Sequence, residues 1–426
     1  MTNLSPRDPV WLERLRQAAS SSFAALGWPT RRLEDWRYSH IEPIAETEFA
    51  PAPVLTASPG LDALIAVQDR AADLVVFVNG RFSPAHSRIG ALPMGVFLGS
   101  FARWAVENPE TAGSLLRPTQ DRAQSLTDLN SGSFTDGLAL ILPAGMVLPR
   151  PLRCLHWSES DAAISVHSRG HIVLGESAQA SVLEIWAGAG KYWNNAVMSG
   201  ALGTGSLLRF ASLQNEALTA FHTASVGVSL AERARFDGFQ LMLGGANVRR
   251  EYRATLAGPA ADFNLNGSTL LSGRQSAATV TLVDHTAAGY ALATKTGTTS
   301  RQIFKVALAE RAHAAFQGRI IVRPDAQKTD AGMLNKTMLL SDRAVVDSKP
   351  ELEIYADDVK CSHGASVGDL DEAALFYLIS RGIDPESARR ILIDAFVTEP
   401  VELVDDESVA ELLRQAIATR LETMKG

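Results

Sequence analysis

The sequence predicts a mainly β protein, a β-solenoid flanked by helical N-terminal and C-terminal regions. Three observations carry that prediction. Short apolar or alternating runs recur between about residues 150 and 365, a five-residue repeat lies inside that stretch, and helical periodicity with capping signals returns from Asp369 onward. These shifts divide the chain into a mixed helical region at 1-150, a β core at 151-368 and a helical tail at 369-426.

In chain order, Val10, Leu12, Leu15, Ala18, Ala19, Phe23 and Leu26 fall at three- and four-residue spacings, the stripe of an amphipathic helix that Gly27 and Pro29 close. From 50 to 150 the pattern is mixed. Residues 74–78 read as a strand ending in an Asn79-Gly80 turn, and helical spacing surrounds residues 97–108. The β core follows, with runs at 171–174, 181–186, 207–213, 240–243, 279–283, 303–308 and 319–322 separated by Gly, Asn, Asp and Ser. Such strands can build a sandwich, a barrel or a solenoid. Leu230-Ala-Glu-Arg-Ala234 recurs as Leu308-Ala-Glu-Arg-Ala312, each copy followed by Phe and Gly before another apolar run. That favours a parallel β-helix, in which each rung buries apolar side chains against the next.

In the tail, Asp369 with Glu372 has the form of a capping box ahead of Phe376, Tyr377 and Ile379, ending at Gly382. Asp384-Pro385-Glu386 supplies an acceptor, a preset φ and a negative charge for a second helix start. A third helix is expected after Asp405 or Asp406, with Val409, Leu412, Leu413, Ile417 and Leu421 on one face. The expectation is a compact three-helix tail.

Composition narrows the function. With 426 residues, 46% hydrophobic, 20% charged and a formal charge of -7, the chain has the balance of a folded protein with a sizeable core. No basic run interleaved with aromatics tracks a phosphate backbone, which argues against nucleic acid. Residues 1–11 carry Pro6, Asp8 and Pro9 and lack the basic start and apolar stretch of a secretory signal, and no run approaches the ~20 apolar residues of a membrane helix. With two cysteines, Cys154 and Cys361, far apart and without a CxxC pair, a reducing, cytoplasmic setting without membrane insertion is expected.

The residues richest in chemistry lie in Glu351-Leu-Glu-Ile-Tyr-Ala-Asp-Asp-Val-Lys-Cys-Ser-His-Gly364. On an extended chain Cys361 and His363 share one face, about 6.6 Å apart along the strand, while Lys360 and Ser362 take the other. Thiolate and imidazole are both borderline-to-soft ligands, so the pair could hold one metal or two atoms of a cluster. Two ligands complete no site, and the remainder would have to come from another chain. Cys154 near His156 repeats the spacing but sits among Leu152, Leu155 and Trp157, where a core role fits better. Asp357-Asp358 reads as a solvated turn, and His285 and His313 as surface or stacking residues. No G-x-x-x-x-G-K-[ST], H-E-x-x-H, G-x-S-x-G or dinucleotide fingerprint occurs, which points to a non-catalytic binding module with no ATP site of its own.

Three blocks resemble the SufB/SufD family of iron-sulfur cluster assembly scaffolds: Pro29-Thr-Arg-Arg-Leu-Glu-Asp-Trp-Arg-Tyr38, Tyr355-Ala-Asp-Asp-Val-Lys-Cys-Ser-His363, and Phe376-Tyr-Leu-Ile-Ser-Arg-Gly-Ile-Asp384 with Ala388-Arg-Arg-Ile391. The Cys-Ser-His form, modest length and two cysteines are similar to the SufD-type branch. The resemblance implies a right-handed parallel β-helix that pairs with a SufB-like subunit through its end. It implies that His363 and Cys361 contribute to a nascent iron-sulfur cluster at that interface. It also implies that a separate SufC-like ABC ATPase docks on helix faces around Phe376, Tyr377, Arg381, Arg389, Arg390 and Phe396. Nothing in the sequence speaks to a flavin, and an isolated chain could form a homodimer. The competing readings are a β-helical carbohydrate-active enzyme, which would need paired carboxylates along a cleft, and a metal-free homo-oligomeric scaffold.

Overall fold

The computed structural model of the chain describes residues 8–288 and 297–424, so residues 1–7 of the expected N-terminal region lie outside the described part. The first element is the helix the apolar stripe predicts, α1 (Val10–Leu26), with Leu12 and Ala19 buried and Gly27 closing it at φ 70°. Short elements follow: α2 (Glu42–Ala45), β1 (Ala50–Pro51), α3 (Pro59–Ala66) and the hairpin β2 (Asp73–Val78) and β3 (Arg81–Phe82). The hairpin turns at Asn79 and Gly80, both with positive φ, as the twist of a two-residue turn requires.

The stretch expected as helix around residue 97 is divided. Phe97–Ser100 (β4) pairs antiparallel with Leu138–Leu142 (β5), and the chain becomes helical only at α4 (Phe101–Glu107), where the Ser100 hydroxyl accepts from the Arg103 N–H. Pairing with a neighbouring strand overrides the local helical spacing. Helices α5 (Pro109–Leu115) and α6 (Ser125–Ser133) complete this region.

From Leu152 the chain winds as a parallel β-solenoid of about seven turns. Two long strands, β6 (Leu152–Leu174) and β7 (Gln179–Leu202), each run a full coil, bending between Ser160 and Ile164 in β6. Later coils split into two strands. One sheet stacks the first halves of β6 and β7 with β8 (Leu207–Gln214), β10 (Arg235–Met242), β12 (Asp262–Leu271), β14 (Thr299–Leu308), β16 (Asp330–Leu339) and β18 (Lys360–Gly368). The other stacks the second halves with β9 (Phe221–Leu230), β11 (Asn247–Leu256), β13 (Ser276–His285), β15 (His313–Val322) and β17 (Val345–Ile354).

In-register stacking puts like on like. Phe210, Phe236 and Phe263 form a ring ladder between the sheets, with neighbouring centroids 6.1 and 5.2 Å apart. Each buried ring contributes about 1.5–3 kcal/mol through apolar burial. Corners are tight enough to demand glycine at places: a Cβ on Gly258 would lie 1.9 Å from the Glu232 nitrogen of the coil before. The two Leu-Ala-Glu-Arg-Ala copies both form corners, but on opposite sides of the coil. Leu230 stacks with Leu202 and Leu256 at the end of the second sheet, Leu308 with Leu271 and Leu339 at the end of the first. The repeat therefore marks a shared corner chemistry, and the coil period is set by strand register.

The tail contains α7 (Glu372–Ser380), α8 (Pro385–Thr398) and α9 (Glu407–Thr423). Its first cap is Asp371, accepting from the Ala373 and Ala374 N–H groups, where Asp369 was expected; Asp384 and Asp406 cap the next two. Instead of closing a bundle on itself, the tail lies on the first sheet. Ile393, Val397, Val409, Leu413 and Ile417 share one buried cluster with Leu183, Leu213, Phe239, Leu241 and Leu270. No described helix is long and apolar enough to cross a membrane.

Candidate functional site

Strand β18 ends the first sheet. Among the described residues it pairs only with β16 and β17 only with β15, so both final strands offer an open edge. On β16 the side chains of Ala331, Met333, Asn335 and Thr337 are buried and those between them are more exposed, which identifies the row facing the other sheet. In register, Cys361 sits over Ala331, His363 over Met333 and Ala365 over Asn335. Cys361 and His363 therefore belong to the inward row of a coil that has no successor. Cys361 is half-buried against the apolar core, and burial pushes its thiol above the ordinary range. His363 is exposed, as are Lys360 and Ser362 on the opposite row. Three large apolar side chains of β17 and β18 are exposed, Val345, Ile354 and Val367 at 53%, 41% and 52%, among charged neighbours such as Lys349, Glu351 and Lys360.

The structure brings the thiol and the imidazole to one row and places no third donor with them. Among the described residues no group of three or more His, Cys, Asp or Glu side chains converges in a way that could hold a metal ion. Asp357 and Asp358 lie in an exposed bend, and Asp358 pairs with Lys328.

The tail residues separate into two sets. Phe376 and Tyr377 on α7 are 73% and 56% exposed, Arg381 lies 5.3 Å over the Tyr377 ring, and Arg390 is exposed. Arg389 is half-buried. Phe396 faces the solenoid, where the Lys305 ammonium lies 4.6 Å from its ring and also pairs with Glu399. Its ring seats α8 on the first sheet.

Sequence reasoning missed a polar group between the sheets. Cys154, fully buried as expected, lies 3.3 Å from His156 Nε2. The His156 ring stacks between Phe77 and Trp186, with centroids 5.1 and 3.8 Å away. Burial lowers His156 to about 3 and raises the Glu184 carboxyl beside it to about 7. The only sequence signal is polar residues recurring at inward positions, and strand register alone reveals that they meet. His285, expected in a surface or stacking role, is buried, with Nδ1 2.6 Å from the Thr298 hydroxyl and Nε2 3.0 Å from that of Ser300. His313 meets the His40 ring edge to face, with centroids 5.1 Å apart, and its Nε2 lies 2.8 Å from Asp347.

Comparison with known proteins agrees with this architecture. Residues 156–396 match the SufBD core domain family of the SUF system for FeS cluster assembly, and residues 3–154 match the SufBD protein N-terminal region. The chain is 30% identical to the iron-sulfur cluster assembly protein SufD of Escherichia coli over 400 residues, 93% of this chain and 90% of that protein. It is 29% identical to an iron-sulfur cluster assembly SufBD family protein of Synechocystis over 416 residues, covering 95% and 90% of the two chains. A chloroplastic protein of Arabidopsis thaliana, ABCI7, is 26% identical over 425 residues, 97% of this chain and 87% of its own. With both of its regions matched and SufD-type relatives aligned nearly end to end, the chain belongs to the SufBD family of iron-sulfur cluster assembly proteins.

Proposed function

We propose that the chain is a non-catalytic scaffold subunit that pairs with a SufB-like subunit and supplies part of the site where an iron-sulfur cluster assembles. The observation that carries this reading is the open last coil. Two unpaired strand edges that expose Val345, Ile354 and Val367 invite another strand-bearing chain, because an unpaired edge presents free N–H and C=O groups. Cys361 and His363 stand on that edge as two ligands of suitable softness. A partner's donors complete the set, and the cluster is cargo shared across the interface. The thiol raised by burial becomes a ligand only on losing its proton, so binding of iron there releases one.

Residues 369-426 form the docking unit for a SufC-like ATPase, with Phe376, Tyr377, Arg381 and Arg390 outward, Arg389 at the margin and Phe396 holding α8 in place. Residues 151-368 form the solenoid and 1-150 its lateral support. ATP hydrolysis resides in the ATPase, and the complex works in the cytoplasm. The test is anaerobic loading of iron and sulfide into the chain co-expressed with SufB- and SufC-like partners, comparing wild type with His363→Ala and Cys361→Ala. Loss of cluster from an intact complex is expected, and full loading of both variants would overturn the ligand role.

A further inference from the structure

Arg250 on β11 turns into the space between the two sheets, with Ala224 and Thr279 as its register neighbours. The residue is 1% exposed, and Nε, Nη1 and Nη2 all lack a hydrogen-bond partner. Glu184 stands 3.9 Å from the guanidinium, beyond hydrogen-bond reach. The Tyr252 ring lies 5.9 Å from the guanidinium, and its buried hydroxyl makes no well-formed hydrogen bond. A guanidinium only donates and keeps its charge, so a buried one without a well-placed acceptor is among the costliest groups a core can hold.

Arg250 lines a cavity of about 20 Å³. Two further groups on the same cavity lack partners, the Ser168 hydroxyl and His156 Nδ1, and both can donate. Glu184 also borders it, but burial raises that carboxyl to about 7, which leaves the Arg250 charge only partly balanced at neutral pH. The space suits a single small guest. A water molecule would satisfy two donors and leave the charge uncompensated.

We infer that this cavity binds one monovalent anion of halide size, held by Arg250 with Ser168 and His156 as additional donors. The site lies between the coils, apart from the open end, and does not depend on the cluster-binding reading.

Bromide is the probe. Crystals of the full chain soaked in sodium bromide are expected to show an anomalous peak beside Arg250 at the bromine edge. Density there without anomalous signal would identify water and overturn the proposal. In solution, replacing sodium gluconate by sodium chloride at equal ionic strength is expected to raise Tm by about 2 °C or more through ligand linkage, and Arg250→Met to abolish that response. Glu184→Gln keeps the volume and removes the competing carboxylate, so the chloride concentration at half effect should fall several-fold. An unchanged or raised midpoint in Glu184→Gln counts against the anion, and this measurement and the bromide peak decide the matter even if Arg250→Met does not fold.

Discussion

The Arg249 guanidinium lies 4.0 Å over the ring of Trp36, tying the N-terminal block at 29–38 to the outer face of the second sheet. Around this contact Asp35 pairs with Arg253 at 3.2 Å and Arg319 at 2.6 Å, and Glu34 pairs with Lys349 at 2.7 Å. Burial opposes ionisation of Glu251, yet the flanking Arg249 and Arg253 hold its carboxyl below the ordinary range. One short segment thus straps β11, β15 and β17 together. Trp36→Ala should cost about 3–5 kcal/mol, the range for a large buried aromatic, and expose residues before 50 to proteolysis. Chemical denaturation and limited digestion check both; an unchanged midpoint would make the strap incidental.

The tail offers a contrast within one element set. Leu413 is fully buried against the first sheet, so Leu413→Ala should destabilise by about 2–5 kcal/mol and raise hydrogen exchange in α9. Phe376→Ala removes an exposed ring and should change stability by no more than about 0.5 kcal/mol while weakening ATPase capture in a pull-down.

Ala365 is exposed on the inward row of β18, where a lysine would stand in the path of an added coil. Ala365→Lys should leave the isolated chain's melting unchanged and abolish pairing with a SufB-like subunit in size-exclusion chromatography, since an inward charge on an edge blocks strand addition.

Acid should destabilise the fold well before ordinary carboxylates titrate. Burial lowers His156 to about 3 and His167, His171 and His285 to about 4. Against an unfolded value of about 6.5, the unfolded chain binds more protons between pH 4 and 6.5, so stability rises with pH across that window. Glu184, raised to about 7, holds its proton in the folded state and acts in the opposite direction between its unfolded value and 7. Asp136 and Asp262, which burial also raises, act with Glu184, and His40 is a fifth lowered imidazole, so five imidazoles outweigh three carboxyls. Urea midpoints at pH 7, 5.5 and 4.5 should fall in that order, and His285→Gln, which cannot take up a proton, should flatten the fall.

Much of the architecture is written in local pattern. The stripe of α1, the Asn79-Gly80 turn, the acceptors Asp384 and Asp406 and the strand runs in the β core act within a few residues, where backbone preference and capping suffice. The strand at Phe97–Ser100 and the displacement of the first tail cap to Asp371 escaped, because pairing with β5 in one case and competing nearby acceptors in the other decide them.

By itself the sequence determined the class of the β core and of the helical tail, the pairing of a thiol with an imidazole on one strand face, and the family. Only the tertiary structure decided what those residues meet. Parallel register between coils set Glu184 over Cys154 and Trp186 over His156, the facing sheet brought Arg250 to within 3.9 Å of Glu184, the last coil left Cys361 and His363 on a row without a successor, and α8 and α9 lie on the first sheet. The physical reason is that a solenoid's contacts run perpendicular to its chain: alternation along a strand says which side a residue faces, and stacking from coil to coil says which neighbour it finds there.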